Sequence, residues 1–146
     1  MRASLLFIIL AFSIFLGCAT YYIPMESFKQ QFAGIDSTKL RQVTTEGPLW
    51  DSYTYLANPI DTIHCVDGNN RPFTLLNSPS IEIRFTERDD SRTIFYFDQV
   101  YIQDTLIVGA KSRFISALRG AIPINNVKLI EVQDGKKNFR YINKGN

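Results

Sequence analysis

The 146-residue sequence is poor in cysteine and histidine and has almost no excess of basic over acidic residues. It contains two cysteines and one histidine, and its formal net charge is only +2. These cysteines and this histidine show none of the spacing that a structural zinc site requires. A chain so close to neutral lacks the basic excess of a nucleic-acid-binding module. We therefore expect no metal, no cofactor and no nucleic-acid partner.

Motifs of nucleophilic and phosphate chemistry are also missing. Gly-x-Ser-x-Gly does not occur, so His64 has no nucleophile elbow to serve. Residues 109–112, Gly-Ala-Lys-Ser, lack the Gly-Lys pair of a phosphate loop. His64 and Cys65 are neighbours on a predicted strand, so they point to opposite faces and cannot form a base–nucleophile pair. We assign no catalytic residues and expect a protein that is not an enzyme. A hydrolase built on paired carboxylates is the last alternative.

The N-terminus carries an apolar segment. Arg2 precedes an apolar run over residues 5–16 that only Ser13 interrupts. A helix of that length rises about 18 Å, whereas the hydrocarbon core of a bilayer is about 30 Å thick. The run is too short to span and is typical of a signal peptide. An uncleaved membrane anchor is disfavoured for the same reason.

The motif Phe15-Leu16-Gly17-Cys18 ends this run and resembles the lipobox of bacterial lipoproteins. In that family a peptidase cuts before the cysteine, whose thiol carries a diacylglycerol. The resemblance implies a signal peptide over residues 1–17 and lipidation of Cys18, with the membrane as partner through two or three acyl chains. Phe15 departs from the leucine that is commonest there. The alternative is an ordinary secretory signal in which Cys18 is incidental.

Residues 18–23 are predicted to be the lipidated cysteine and a short tether. Five extended residues reach about 17 Å, so the domain would sit close to the bilayer. The rings of Tyr21 and Tyr22 suit a membrane interface, with packing onto the domain as an equal alternative. Residues 19–22 have neither the acidic residues that resemble a surface-export signal nor the Asp that resembles an inner-membrane retention signal. We expect the periplasmic face of the outer membrane.

With Cys18 lipidated, Cys65 has no disulfide partner and is expected to be a small buried side chain.

Residues 24–146 are predicted to form a single β-rich domain. Met25, Phe28 and Phe32 are spaced as one stripe of a short helix over residues 24–33, with both phenylalanines in the core. Farther on, the apolar period becomes two, which is typical of half-buried strands. We predict mainly β structure, with antiparallel hairpins forming a small barrel or sandwich and one short N-terminal helix. Strands are predicted at 52–56, 61–66, 72–76, 81–86, 93–98, 99–103, 105–108, 127–132 and 138–142, the last two as a hairpin around residues 134–135. Residues 111–118 fit either a helix that Ser112 caps and Gly120 ends or a continued strand over 113–115, and we favour the strand, followed by an irregular turn.

The later half is also similar to a group of small envelope lipoproteins. That resemblance implies an antiparallel β fold and brings no activity or functional residues with it. It rests on Asp98, Ser112-Arg113-Phe114, Ile122-Pro123-Ile124 and residues 130–135.

Two aromatic groups could contact a ligand or partner. The first is Trp50, Tyr53 and Tyr55, where both tyrosines share a strand face; the second lies in residues 95–101. Buried, either group would be core. Residues 136–140 form a small basic end that could touch anionic head groups.

We expect a lipid-anchored, non-enzymatic interaction or structural module of the bacterial cell envelope, with an envelope protein as partner. The alternatives are a carrier of a small apolar or glycan ligand and an envelope hydrolase. A wide apolar cavity in a closed barrel would favour the carrier. A filled core with an exposed apolar patch would favour partner binding.

Overall fold

The computed structural model describes residues 18–145, so the predicted signal peptide over 1–17 lies outside the described residues. The described chain contains one α-helix, α1 (Met25–Gln31), three short 3₁₀ turns and otherwise strands and loops. The strands are β1 (Thr20–Tyr22), β2 (Arg41–Glu46), β3 (Ser52–Ala57), β4 (Thr62–Val66), β5 (Pro72–Leu76), β6 (Ile81–Glu87), β7 (Arg92–Tyr96), β8 (Tyr101–Gln103), β9 (Leu106–Ala110), β10 (Arg119–Pro123), β11 (Val127–Asp134) and β12 (Arg140–Asn143).

The strands form three antiparallel sheets. A six-stranded sheet has the order β5-β4-β1-β11-β6-β7, and two three-stranded sheets have the orders β10-β9-β8 and β12-β2-β3. The predicted fold class is confirmed: the structure is mainly β, antiparallel and has one short helix. Of the two predicted arrangements, sandwich-like packing fits, and the sheets of the described chain are not closed into a barrel.

The core lies against one face of the six-stranded sheet. Alternate residues of β6, Ile81, Ile83 and Phe85, are buried as the period of two predicts. Helix α1 covers this face with Phe28, and Phe32 follows directly after the helix; both are fully buried. The core is completed by residues of β4, β9, β10 and β11, among them Ile63, Ile107, Ile122 and Val132.

Three hairpins are confirmed: β4 with β5, β6 with β7, and β8 with β9. The predicted last hairpin is wrong, because β11 pairs with β6 and β1 whereas β12 pairs with β2 in another sheet. The turn itself redirects the chain. The Gly135 N–H donates to the Ser80 carbonyl, and Lys136 and Asn138 both have positive φ, so the chain crosses to the next sheet instead of folding back.

Residues 111–118 form an irregular loop, without the strand predicted at its start. The strand that follows, β10, was not predicted. It contains Gly120 and Pro123, both weak strand formers, and pairs with β9 at the edge of its sheet, where proline is tolerated.

The N-terminal segment is more ordered than the predicted tether. Residues Thr20–Tyr22 form β1, which lies between β11 and β4. Thr20 pairs with Gln133, and Tyr22 pairs with Glu131 on one side and Val66 on the other. The β structure therefore begins at residue 20 rather than after residue 24, and only Ala19 separates Cys18 from the first paired residue.

Candidate functional site

A buried polar cluster lies where the three sheets meet. Asp98, in the turn between β7 and β8, and Arg113, in loop 111–118, have side chains with 0% exposure. Arg113 Nη2 donates to Asp98 Oδ1 at 2.8 Å. The other carboxylate oxygen, Oδ2, accepts hydrogen bonds from the hydroxyls of Tyr55 at 2.6 Å and Tyr141 at 2.8 Å. Asp98 links the six-stranded sheet, which contains β7, to the β10-β9-β8 sheet, which contains β8. Both tyrosines belong to the third sheet, β12-β2-β3, so one carboxylate connects all three sheets.

The Arg113 guanidinium is enclosed on its other sides. Its Nε donates to the Pro79 carbonyl at 2.8 Å, which ties loop 111–118 to the chain just before β6. Its central carbon lies 4.1 Å from the ring centroid of Tyr96 and 4.9 Å from that of Tyr55, a cation–π arrangement. Within the described chain, Nη1 is buried without a hydrogen-bond partner. The guanidinium is therefore held by one carboxylate, one carbonyl and aromatic faces.

Electrostatics keep both tyrosine hydroxyls protonated. Burial first, and then the negative charge of Asp98, raise the pKa of Tyr55 and of Tyr141 well above the ordinary value of 10.0. The void beside Tyr141 and Asn58 has a volume of about 10 Å³, room for one water at most. This void is too small for an organic substrate, and the hydrogen bonds of the cluster join separate elements of the fold.

A second feature lies outside this cluster. Leu49 and Trp50, at the tip between β2 and β3, are 78% and 77% exposed. Phe114 and Ile115, in loop 111–118, are 66% and 58% exposed. We call these four residues the apolar rim. Tyr53 packs beside the rim, its ring centroid 5.5 Å from that of Phe114. Large apolar side chains grouped on exposed loops are typical of an interaction surface.

The predicted aromatic group of Trp50, Tyr53 and Tyr55 is divided by the structure. Tyr53 and Tyr55 share a strand face, as predicted, but differ in surroundings. Tyr55 reaches Asp98 in the interior, Tyr53 packs between Phe114 and Phe139, and Trp50 points outward near Arg140. Trp50 therefore belongs with the apolar rim. A ligand or partner contact by these residues stays a prediction.

The second aromatic group is mostly core: Phe95, Tyr96 and Phe97 are buried, and Tyr101 is half-buried. Of the predicted basic end, Lys137 pairs with Glu82, and Arg140 pairs with Glu46.

The two tyrosines predicted for a membrane interface are both half-buried in β1. Tyr21 stacks on Phe73, with ring centroids 4.3 Å apart, so packing onto the domain accounts for its ring. Tyr22 lines an open groove of about 310 Å³ together with Met25, Val66 and Leu129. A membrane role for either residue stays a prediction.

His64 and Cys65 lie on opposite faces of β4, as the strand period predicts. Cys18 is exposed and Cys65 is buried, and burial raises the pKa of the Cys65 thiol to about 11. His64 is exposed on the opposite face, which confirms that His64 and Cys65 do not face one another. Among residues 18–145, no cluster of His, Cys, Asp or Glu could hold a metal ion. Over the same range, no helix has the length and apolarity to cross a bilayer.

The buried ion pair was missed by sequence reasoning. Its one signal is a lone acidic residue, Asp98, within the aromatic and apolar run of residues 94–100. Leu49, Phe114 and Ile115 of the rim were also missed, because single apolar residues in loops carry no periodic signal.

No known protein family, no curated protein and no solved structure matches the chain. The function is therefore inferred from the residues of this chain.

Proposed function

We propose that this chain is a lipid-anchored protein of the bacterial cell envelope that acts as a non-enzymatic interaction or structural module. The observation that carries the proposal is the cysteine at the end of the N-terminal apolar run. Residues 5–16 have the length of a signal-peptide core, and Phe15-Leu16-Gly17-Cys18 follows directly. Cys18 is exposed and precedes the β structure, as a lipidation site requires.

The position of Cys18 would hold the domain against the membrane. Only Ala19 lies between Cys18 and Thr20, the first residue paired in the sheet. Two extended residues span about 7 Å at most, so a diacylglyceryl thioether on Cys18 would keep the start of β1 at the level of the head groups. The sequence after the cysteine favours the periplasmic face of the outer membrane, because Ala19 is not Asp and no acidic residue follows at once.

Two structural observations support an interaction role. The core is filled by large side chains such as Phe28, Phe85 and Phe97, all at 0% exposure. The apolar rim, in contrast, leaves large side chains in solvent. A filled core with an exposed apolar patch is the combination expected of a surface that docks onto a protein or a membrane.

A carrier function is the second candidate, and the groove beside Tyr22 favours it. The groove volume of about 310 Å³ is at the lower end of the range for small-molecule sites. Apolar side chains of Met25 and Leu129 line it beside the polar Asn70 and Lys128. A small amphipathic ligand would match this lining.

The anchor is tested by replacing each cysteine in turn. Cys18→Ala should abolish the mature, lipidated form and leave a larger, uncleaved or slowly processed precursor that still carries residues 1–17. Cys65→Ala is the matched control, because that thiol is buried, and it should leave the protein in the membrane at mature size. A Cys18→Ala protein that stays with membranes at wild-type size would overturn lipid anchoring.

The carrier candidate is tested by native mass spectrometry of protein purified from the envelope. A defined added mass should be present in the wild type and lost in Leu129→Arg, which fills the groove. Ile94→Arg is the control, since Ile94 is similarly exposed but lies outside the groove. Absence of any added mass, or its persistence in Leu129→Arg, would reject the groove as a ligand site.

A further inference from the structure

We propose that the apolar rim inserts into the interfacial region of the same bilayer that holds Cys18. The rim would then be a lipid-docking surface that fixes the orientation of the domain. This inference rests on the proposed lipid anchor, because the anchor is what brings the rim to the membrane.

Cys18 lies just before the first paired residue of the six-stranded sheet. Strand β1 begins at Thr20, which pairs with Gln133 one residue before β11 ends. The next residue after β11, Gly135, donates its N–H to the Ser80 carbonyl at 2.9 Å, just before β6 begins. The chain leading back to Cys18 therefore leaves the six-stranded sheet at the end where β11 finishes and β6 starts.

The contacts of loop 111–118 place the rim at this same end of the sheet. Arg113 bonds the carbonyl of Pro79, the neighbour of Ser80, and the next two residues along the chain are Phe114 and Ile115. Phe139, four residues after Gly135, lies with its ring 6.2 Å from that of Phe114. Trp50 lies over the guanidinium of the following residue, Arg140, at 5.9 Å.

The short link between Cys18 and β1 limits what could cover the rim. Cys18 and Ala19 together span about 7 Å at most, so a lipid on Cys18 leaves no room for a folded protein between this end of the domain and the bilayer. Lipid is the occupant that this spacing allows.

The rim also has the composition of a membrane contact. Tryptophan prefers the membrane–water interface, and Phe114, Leu49 and Ile115 supply apolar area on the neighbouring positions. Trp50 has a φ of 66°, a left-handed conformation that bulky residues rarely adopt. The backbone of Trp50 is therefore strained at the position that exposes the indole ring. Such strain is typical of functional positions.

Two of the basic residues beside the rim are held in ion pairs. Arg140 pairs with Glu46, and Lys137 pairs with Glu82. The docking would therefore depend on apolar insertion more than on charge. High salt, which screens surface charges, should not release the rim.

The loop that carries half of the rim is held in place. The Ser112 hydroxyl accepts the backbone N–H groups of Phe114 and Ile115, both at 3.1 Å. Arg113, which lies between Ser112 and Phe114, is fixed in the buried cluster. The ends of the loop are joined by a hydrogen bond from the Lys111 N–H to the Leu118 carbonyl. Phe114 and Ile115 are consequently presented to solvent by a loop that Arg113 ties to the core.

The experiment uses Trp50 as a reporter, since the chain contains one tryptophan. The full lipidated protein is reconstituted into vesicles of phosphatidylethanolamine and phosphatidylglycerol whose acyl chains carry bromine near the head group. We expect a blue-shifted emission that brominated lipid quenches by about half or more, in low and in high salt. Flotation of the same vesicles reports the anchor independently.

Phe114→Ser/Ile115→Ser should reduce the quenching several-fold while flotation is retained. Leu106→Ser is the matched control: Leu106 is 39% exposed and starts β9, at the other end of that strand from loop 111–118. It should quench as the wild type does. Far-ultraviolet circular dichroism checks that each variant is folded.

Each other outcome overturns the inference in a recognisable way. Protein that floats but whose Trp50 is unquenched and open to acrylamide has the anchor without the docking. A blue-shifted emission that ignores brominated lipid but depends on protein concentration shows a second copy on the rim. Protein that does not float, with an unmodified mass, removes the anchor and the docking together.

Discussion

Arg113 and Phe114 are consecutive residues with opposite surroundings. The charged side chain of Arg113 has 0% exposure, whereas the apolar Phe114 is 66% exposed. Five residues apart on the β2–β3 hairpin, Tyr55 is turned into the buried cluster and Trp50 into solvent. The first pair inverts the usual distribution, in which charge lies outside and large apolar side chains lie inside, and Trp50 departs from it in the same way as Phe114.

The comparison separates stability from function. A buried ion pair is an expensive way to stabilise a protein, yet removing one partner leaves an uncompensated charge in the interior. Here the pair joins all three sheets and fixes loop 111–118, so it determines the arrangement of the fold. The rim contributes little to the core and is free to serve binding. We therefore expect substitutions in the cluster to reduce stability, and substitutions in the rim to leave it intact.

The largest effect is expected from breaking the ion pair. Arg113→Met should lower the free energy of unfolding by about 3–5 kcal/mol, because Asp98 stays buried without its cation. Arg71→Met is the control: its pair with Asp67 lies at the surface, where Arg71 is 72% exposed, and its loss should cost no more than about 1 kcal/mol. Urea denaturation measures both. Equal losses in the two variants would contradict a structural role for the cluster.

A single hydroxyl of the cluster should matter less. Tyr141→Phe removes one hydrogen bond to the Asp98 carboxylate and should lower the free energy of unfolding by about 1.5–3 kcal/mol. Tyr101→Phe is the comparison, because this half-buried hydroxyl has no hydrogen bond in the described chain. If both substitutions are neutral, the carboxylate does not depend on the tyrosines.

Alkaline pH should weaken the cluster. The pKa of Tyr55 and of Tyr141 is raised in the folded state, so above about pH 10 the unfolded chain loses protons that the folded chain keeps. Stability is then full below pH 10 and falls above it, by up to about 1.4 kcal/mol per pH unit for each tyrosine. The double variant Tyr55→Phe/Tyr141→Phe should show a shallower decline. The measurement is the denaturation midpoint of each protein between pH 8 and pH 11. If the midpoint falls with pH equally steeply in the wild type and in the double variant, the pKa values of the two tyrosines are not raised.

The smallest effect on stability is expected in the rim. Trp50→Gly should change the free energy of unfolding by less than about 1 kcal/mol, since the ring is exposed and glycine tolerates the positive φ at this position. Thermal unfolding measures the change. A loss above about 2 kcal/mol would mean that Trp50 supports the fold.

Local patterns predicted much of the secondary structure but not which strands pair with one another. Alternation identified β6 and its buried face, and the spacing of Phe28 and Phe32 identified the helix region. The sequence predicts a tether where β1 lies, because the three residues Thr20–Tyr22 carry no recognisable period and their partner in β11 lies more than a hundred positions away. The last hairpin failed for a related reason: a turn dipeptide such as Asp134-Gly135 indicates a change of direction without specifying which strand the chain meets next.

The candidate site was predictable only in part. Residue parity placed Tyr53 and Tyr55 on one face, and parity also separated His64 from Cys65. The burial of a side chain does not follow from parity, because it depends on which residues of a neighbouring sheet pack against it. Tyr55 meets Asp98 across 43 positions of sequence, and Asp98 meets Arg113 across 15. No spacing rule connects such residues.

The intact mass of the protein isolated from its native membrane tests lipid anchoring most directly. Lipid anchoring predicts a chain that starts at Cys18, lacks residues 1–17 and carries the added mass of a diacylglyceryl group, with a further acyl chain where the new amino terminus is modified. A polypeptide that still starts at Met1, or one cut elsewhere with an unmodified Cys18, would contradict it.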